Sequence, residues 1–303
     1  MFPPRLNPNL RYPDEGMSKR AVVFGSGGQL GVELLQELRT RGYEVTGFER
    51  VHLDITDRAK VESALAAIDP QFVYNAAAYN QVDVAETEPA AAFTVNALAV
   101  RNLALACRQM DAKLIHFSTD YVFDGTLGRS YVETDNTHPL GAYAVSKLGG
   151  ELYAQAYLDS PLILRTSGVF GPAGAHTNRG NFLELMLRLA RERKPIRVVE
   201  DYFASPTYAP LLASRSIDLA EGSHSGVFHL GGGSAISWYV FAKLIFEAAG
   251  VTPEITPTDA REYRTVARRP QYSALENKRL AEVGVAPMPP IAEAIRTYLE
   301  NRK

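Results

Sequence analysis

The chain has 303 residues, of which 46% are hydrophobic and 22% charged. These are ordinary globular proportions, and they exclude wholesale disorder, collagen and coiled coil. A formal charge of −2, from 32 basic and 34 acidic residues, supplies no global field that would draw the protein onto nucleic acid or an anionic membrane. Neither partner is expected.

Residues 1–18 carry Pro3, Pro4, Pro8 and Pro13 with scattered charges and lack the apolar run of a signal peptide. They are predicted to be a poorly ordered extension, with Met17 a candidate start. No run of about 20 apolar residues predicts a membrane span. The lone cysteine, Cys107, cannot form an intramolecular disulfide, which fits a reducing cytoplasm. Its apolar surroundings read as those of a small buried hydrophobe.

From Lys19 onward, short apolar runs alternate with helical patterns. Strands are predicted at 21–24, 43–48, 72–75, 113–118 and 162–165. Helices are predicted at 29–41, 58–67, 89–109 and 143–157. This rhythm predicts an α/β fold, a doubly wound parallel sheet of Rossmann type covered on both faces. After Arg165 the rhythm loosens. Helices are expected at 181–193, 211–221, 238–249 and 291–301, strands at 196–199 and 227–230, and a loop at 252–269. The expected division is a dinucleotide-binding domain over 19–165, with about 205–235 returning to it, and a smaller C-terminal substrate lobe from 166–204 and 236–303.

Gly25, Gly28 and Gly31 follow the first strand and open the first helix. The first permits a tight turn, the second lets a pyrophosphate approach the backbone, and the third lets helix and strand pack closely. Free N–H groups at the helix start face the anion. The second strand ends at Glu49-Arg50. An acidic residue there suits a ribose 2′-hydroxyl and a basic one a 2′-phosphate, so NAD(H) and NADP(H) both remain open. Asp54 can accept from an adenine amino group. The N-cap of the following helix suits Thr56 or Asp57 better.

Tyr143 and Lys147 lie four residues apart on one helix face. A phenol needs a neighbouring positive charge to exchange a proton near neutral pH, and Lys147 is placed to provide it. Thr119 ends the preceding strand, on the carboxyl side where α/β sites form, and can donate to a substrate oxygen. The six histidines show no paired ligand spacing, so no metal site is expected. His116 and His229 read as satisfied core residues.

Together these stretches resemble the extended short-chain dehydrogenase/reductases and, within them, the dTDP-4-dehydrorhamnose reductase family. The resemblance runs from about Arg20 to the C-terminus. It is carried by Gly25–Gly31, Asn75–Tyr79, Val82-Asp83, Ala85-Glu86, Ser118–Gly125, Tyr143–Glu151, Arg165–Ser167, Asn181-Phe182, Ser205–Thr207, Ser237-Trp238 and Arg269-Pro270. It implies that Tyr143 gives a proton to the sugar C4 oxygen and that Lys147 lowers the phenol's pKa and holds the nicotinamide ribose. Thr119 would tune the tyrosine and contact the sugar. The resemblance further implies Gly28, Gln29 and Leu30 along the pyrophosphate, Asp54 and Ile55 flanking adenine, and Ala76, Ala77 and Ala78 beneath the cofactor. Val82, Asp120, Asn181 and Phe182 would face the nucleotide sugar, and Arg268 or Arg269 would meet its diphosphate.

The implied reaction is NAD(P)H-dependent reduction of a 4-keto-6-deoxy nucleotide sugar, such as dTDP-4-dehydrorhamnose to dTDP-rhamnose. A homodimer is compatible with the resemblance, and so is a bridging magnesium, although no ligand cluster in the sequence demands one. The sequence departs from the family where Gly168 replaces a tryptophan after Arg-Thr-Ser, and around Leu140, where asparagine is usual. Two alternatives follow from the same fold. One is a nucleotide-sugar epimerase or dehydratase, against which Tyr121 stands where a dehydratase has a carboxylate. The other is a regulatory subunit of the methionine adenosyltransferase type, against which stand Thr119, Tyr143 and Lys147.

Overall fold

The computed structural model describes residues 18–176 and 180–302. Almost all of the expected N-terminal extension, residues 1–17, lies outside the described residues.

Strand β1 (Arg20–Phe24), helix α1 (Gln29–Thr40), β2 (Glu44–Phe48), α2 (Arg58–Ile68) and β3 (Phe72–Asn75) form the first alternating units. Asp57 is the N-cap of α2, accepting from the Lys60 N–H at 3.2 Å. Helix α3 runs through Pro89–Met110 with a π-helical segment at Thr94–Leu98. It leads into β4 (Lys113–Thr119), α4 (Ala142–Tyr157) and β5 (Leu162–Thr166). By length and composition alone α3 could cross a membrane, but 56% of its most apolar window is buried inside the protein, as a core helix requires.

The second half supplies α5 (Phe182–Arg191), β6 (Ile196–Val199), β7 (Phe203–Ala204) and α6 (Ala209–Glu221). Strand β8 (Gly226–His229) then pairs with β5, completing a parallel six-stranded sheet in the order β2-β1-β3-β4-β5-β8. The chain follows with β9 (Ile236–Ser237), α7 (Trp238–Ala248), β10 (Ile255–Thr258), α8 (Lys278–Glu282) and α9 (Ile291–Asn301).

Leu34 and Leu38 of α1 and Leu212 and Ile217 of α6 bury one face of the sheet. Val61 and Leu65 of α2, Val100 and Leu103 of α3, and Ala154 of α4 bury the other. With helices on both faces, the strands need apolar residues at consecutive positions, and all seven residues of β4 are buried. A further apolar cluster joins α5, β6, α7 and α9 through Leu183, Ile196, Phe241, Ile245, Ile295 and Tyr298.

One expectation is corrected. Residues 255–258, predicted as loop, form a strand paired in parallel with β6, with Ile255 beside Ile196 and Thr258 beside Val199. Pro257 disguised it, and proline is tolerated because this two-stranded sheet consists only of edges.

The order of the main sheet reverses between β1 and β3. Their register sets Phe24 beside Asn75, so Gly25 emerges next to Ala76. Ligands of open α/β sheets bind at the carboxyl ends of strands at such a reversal.

Candidate active site

The turn after β1 is built around close backbone approach. Gly25 has φ +76°, and a Cβ on it would lie 2.6 Å from the Ala77 nitrogen. A Cβ on Gly31 would lie 2.1 Å from the Gly25 carbonyl oxygen, so the helix rests directly on the turn. Gly28 is the N-cap of α1 and brings no side-chain cap, leaving first-turn N–H groups for an anion. A cavity of about 300 Å³ opens here, lined by Gly25, Gly28, Glu49, Arg50, Asp54, Ile55 and Ala76–Ala78. Its shape and donors fit a dinucleotide: glycine backbone where the phosphates pass, small alanines beneath, and an apolar and acidic end for the base.

Glu49 packs against Gly27, where a Cβ would come within 2.7 Å of its carboxyl carbon. Arg50 keeps 85% of its side chain exposed and reaches Asp54 at 3.3 Å. Burial pushes the Asp54 carboxyl up, but hydrogen bonds from Thr56 and the Arg50 charge outweigh it and hold it below the usual range.

A second cavity of about 450 Å³ adjoins the first at Gly28 and Asn80. Its walls include Ser118, Thr119, Asp120, Tyr143, Thr166 and Gly168. Burial pushes the Tyr143 phenol up to about 12; a hydrogen bond with Thr119 works the other way, and the Asp120 carboxylate adds to the rise. Lys147 is buried and donates to the Phe117 carbonyl oxygen at 2.6 Å. Burial lowers the Lys147 ammonium to about 8, with Glu151 pulling it back. Glu151 in turn is ion-paired with Arg165 at 2.7 Å and accepts from Ser118 at 2.5 Å.

A third cavity, about 330 Å³ and largely aromatic, lies beyond Tyr121 and is lined by Phe182, Arg197, Phe203, Trp238, Tyr263 and Arg269. The rings of Phe182 and Phe241 stack at 5.4 Å. Gly168 has φ +50°, and a Cβ there would lie 3.1 Å from the Trp238 ring. The indole from α7 thus lies over the position where the family resemblance predicts a tryptophan.

Several expected site residues also hold partners within the fold, Gln29, Asp120 and Arg269 while lining these cavities. The Leu30 side chain packs into the core beneath α1, leaving its backbone to face the phosphate turn. The Gln29 amide donates to the Val169 carbonyl at 2.8 Å and accepts from Asn181 at 2.9 Å. Asn181 is the N-cap of α5, accepting from the Glu184 N–H at 3.0 Å; its side chain is consumed by capping and by this latch. The Asp120 carboxylate accepts from Ser167 at 2.8 Å and from Ser273 at 2.5 Å. Burial still lifts it to about 6 against those hydrogen bonds. Arg269 forms an ion pair with Asp83 at 2.7 Å. Arg268 is exposed and shares a narrow crevice with Val82 and Tyr143.

The core histidines are only half satisfied. His116 Nδ1 lies 3.2 Å from the Asn75 amide and His229 Nδ1 3.1 Å from the Tyr131 carbonyl, while neither Nε2 has a partner. Cys107 is buried, which pushes its thiol up to about 12 and keeps it inert. Among the described residues, no group of three His, Cys, Asp or Glu comes together to hold a metal.

Two residues the sequence reading missed shape the site. Asn80 lines both adjoining cavities. Asn96, in the π-helical segment, accepts from the Tyr79 N–H at 2.8 Å and donates to Ser146 at 2.9 Å, tying the loop after β3 to the helix of Tyr143. A π-turn in a helix often marks a functional site, but an isolated asparagine in an alanine-rich helix gives no such sign in sequence.

A family profile described as RmlD substrate binding domain matches residues 19–303. The chain belongs to this family. The spore coat polysaccharide biosynthesis protein SpsK of Bacillus subtilis is 38% identical over 285 residues, spanning 93% of this chain and 98% of that protein. The dTDP-4-dehydrorhamnose reductase of Mycobacterium tuberculosis is 37% identical over 94% of this chain and 93% of its own length. Among solved structures, dTDP-4-dehydrorhamnose reductase from Bacillus anthracis in complex with NADP superposes with a TM-score of 0.89 at 34% identity, covering 94% of this chain and 99% of that one. The family resemblance and the Rossmann-type sheet expected from the sequence are both borne out.

Proposed function

We propose that the protein is an NAD(P)H-dependent reductase of a 4-keto-6-deoxy nucleotide sugar, of the dTDP-4-dehydrorhamnose class. The observation that carries this reading is the continuity of the two cavities: Gly28 and Asn80 belong to both the glycine-turn cradle and the cleft of Thr119 and Tyr143. A dinucleotide held in the cradle would extend through this junction toward the cleft of Tyr143. The relatives, including a dTDP-4-dehydrorhamnose reductase solved in complex with NADP, support the same substrate and cofactor class.

In this reading the domain around the six-stranded sheet holds the cofactor and the remaining C-terminal segments hold the sugar nucleotide. The reduced nicotinamide supplies a hydride to C4. Tyr143 Oη gives its proton to the C4 oxygen, so the carbonyl becomes an alcohol. Thr119 orients the phenol, and Lys147, one helical turn on and seated against the Phe117 carbonyl, supplies positive charge. The aromatic cavity of Phe182 and Trp238, whose wall also carries Arg269, receives the nucleotide end, and Arg268 or Arg269 meets its diphosphate. The subunit arrangement proposed from the resemblance is a homodimer.

The test follows nicotinamide absorbance with NADPH or NADH and a dTDP-4-keto-6-deoxy sugar generated in situ. Wild-type protein oxidises the cofactor only when the sugar is present. Tyr143→Phe lowers kcat by about 10²–10⁴-fold, the range of general acid catalysis. No oxidation with either cofactor overturns the assignment.

A further inference from the structure

Helix α4 carries Tyr143 in its first turn, yet its N-cap, Gly141, has no side chain to cap it. The cap arrives from another part of the chain. Glu86, in the short 3-10 turn Val84–Glu86, accepts from the Ala142 N–H at 2.8 Å. Gly141 is extended, with φ −152°, a conformation open to any residue. What its glycine provides is room, because a Cβ there would lie 2.6 Å from Glu86 Oε1. The same turn is anchored on its other side. Asp83 holds Arg269 at two points, 2.7 and 3.0 Å, and accepts from the Ala267 N–H at 3.0 Å. Val82, Glu86, Tyr143 and Arg268 meet in one crevice, so the turn bridges the proton donor's helix and the segment facing it.

We propose that Glu86 is a positioning residue for Tyr143: its carboxylate caps the catalytic helix in place of the side chain that Gly141 lacks, and holds the phenol in line with the cofactor cradle. The proposal rests on the reductase reading only in taking Tyr143 as proton donor. First-turn N–H groups have no partner within their own helix, and a carboxylate there gains from both the hydrogen bond and the helix dipole. Without it the first turn frays, and a displacement of about 1 Å in a reacting group is costly in rate. The cradle is built on β1, so cofactor affinity should be spared.

The experiment compares full-length wild type, Glu86→Ala, Glu86→Gln and the double variant Glu86→Ala/Gly141→Ser. Measured are kcat and KM for the keto sugar, NADPH affinity, thermal midpoint, and amide exchange at Ala142 and Tyr143. Glu86→Ala is expected to lower kcat by about 10–100-fold with NADPH affinity held within about twofold. Glu86→Gln keeps an acceptor oxygen and most of the rate. In the double variant, the introduced serine fills the space the carboxylate leaves and caps the helix itself, restoring kcat to within about threefold of wild type. A Glu86→Ala rate within about twofold of wild type overturns the proposal. So does a slow Glu86→Ala that neither glutamine nor Gly141→Ser recovers. A wild type that oxidises no NADPH with the sugar overturns the reductase reading instead. The cap is then judged by amide exchange alone, which Glu86→Ala must accelerate and the double variant must slow again.

Discussion

The Lys147 ammonium donates to the Phe117 carbonyl oxygen at 2.6 Å, one strand position before Ser118, which binds Glu151. The lysine is held by the backbone of β4, and its charge is favoured by the Glu151 carboxylate one helical turn away. Burial brings the ammonium down to about 8. In the proposed mechanism, the Lys147 charge offered to the phenol is therefore present below about pH 8 and lost above it. We expect kcat/KM to fall as pH rises through this region in wild type. Lys147→Met should lose that limb and run about 100-fold slower across the range. Persistence of the alkaline limb in Lys147→Met would assign it to another group.

Two glycines of the phosphate turn separate fold from function. At Gly31 a Cβ would lie 2.1 Å from the Gly25 carbonyl oxygen, so Gly31→Ala should lower the thermal midpoint strongly, with or without cofactor. At Gly28 the tightest contact would be 3.2 Å, and the new methyl would project beside the cradle. Gly28→Ala should keep a near-native midpoint while weakening NADPH at least about 10-fold, because the close approach of backbone to pyrophosphate is lost. Fluorescence titration and thermal melts of both variants check this, and equal effects at the two sites would contradict it.

Local chemistry made much of this site legible in the sequence. The glycine turn, the alanines after β3 and the Tyr143–Lys147 pair each reside within one strand end or one helix, where spacing alone places them. What spacing cannot show is which distant partner claims a polar side chain. Asn181 and Gln29 read as ligand-facing, and only the fold shows Gln29, which lines the cleft, accepting from Asn181 across 152 residues. Arg269 reads as a diphosphate ligand, and spacing does not disclose that Asp83 holds it in the cavity wall across 186 residues. Strand β10 was illegible for the same reason, since its pairing to β6 exists only in the folded protein and its Thr-Pro-Thr sequence favours loop. Gly168 read as a lost aromatic contact, and only the fold shows Trp238 lying over it.

The choice of dinucleotide turns on the adjacent pair at the end of β2. Arg50 is almost fully exposed and bound to Asp54 only at 3.3 Å, so it can swing to a 2′-phosphate at little cost. Glu49 lies against Gly27 inside the cradle. Arg50→Ala should raise the KM for NADPH about 10-fold and leave NADH nearly unchanged, whereas Glu49→Ala should favour NADPH by relieving like-charge repulsion. Steady-state kinetics with both cofactors measure the switch. An Arg50→Ala variant that loses both cofactors equally would show that the residue shapes the loop rather than reading the phosphate.

Lys113, at the start of β4, is buried and its Nζ has no hydrogen-bond partner. Burial alone lowers it to about 8, below the ordinary lysine value of about 10.4. Between these two values the unfolded chain binds more protons than the folded one, so this lysine makes stability rise with pH from about 8 upward. Lys147, lowered to about 8 as well, acts with the same sign. Below pH 8 Lys113 is a buried, unpaired charge and a net cost. Lys113→Met keeps most of the length of the side chain and removes the charge. It should stabilise the protein at pH 7 by about 1–3 kcal/mol, the penalty of an unsatisfied buried polar group, and flatten the rise above pH 8. Denaturant midpoints at pH 7 and pH 10 measure both effects. A destabilised Lys113→Met at pH 7 would mean that the ammonium is compensated inside the fold.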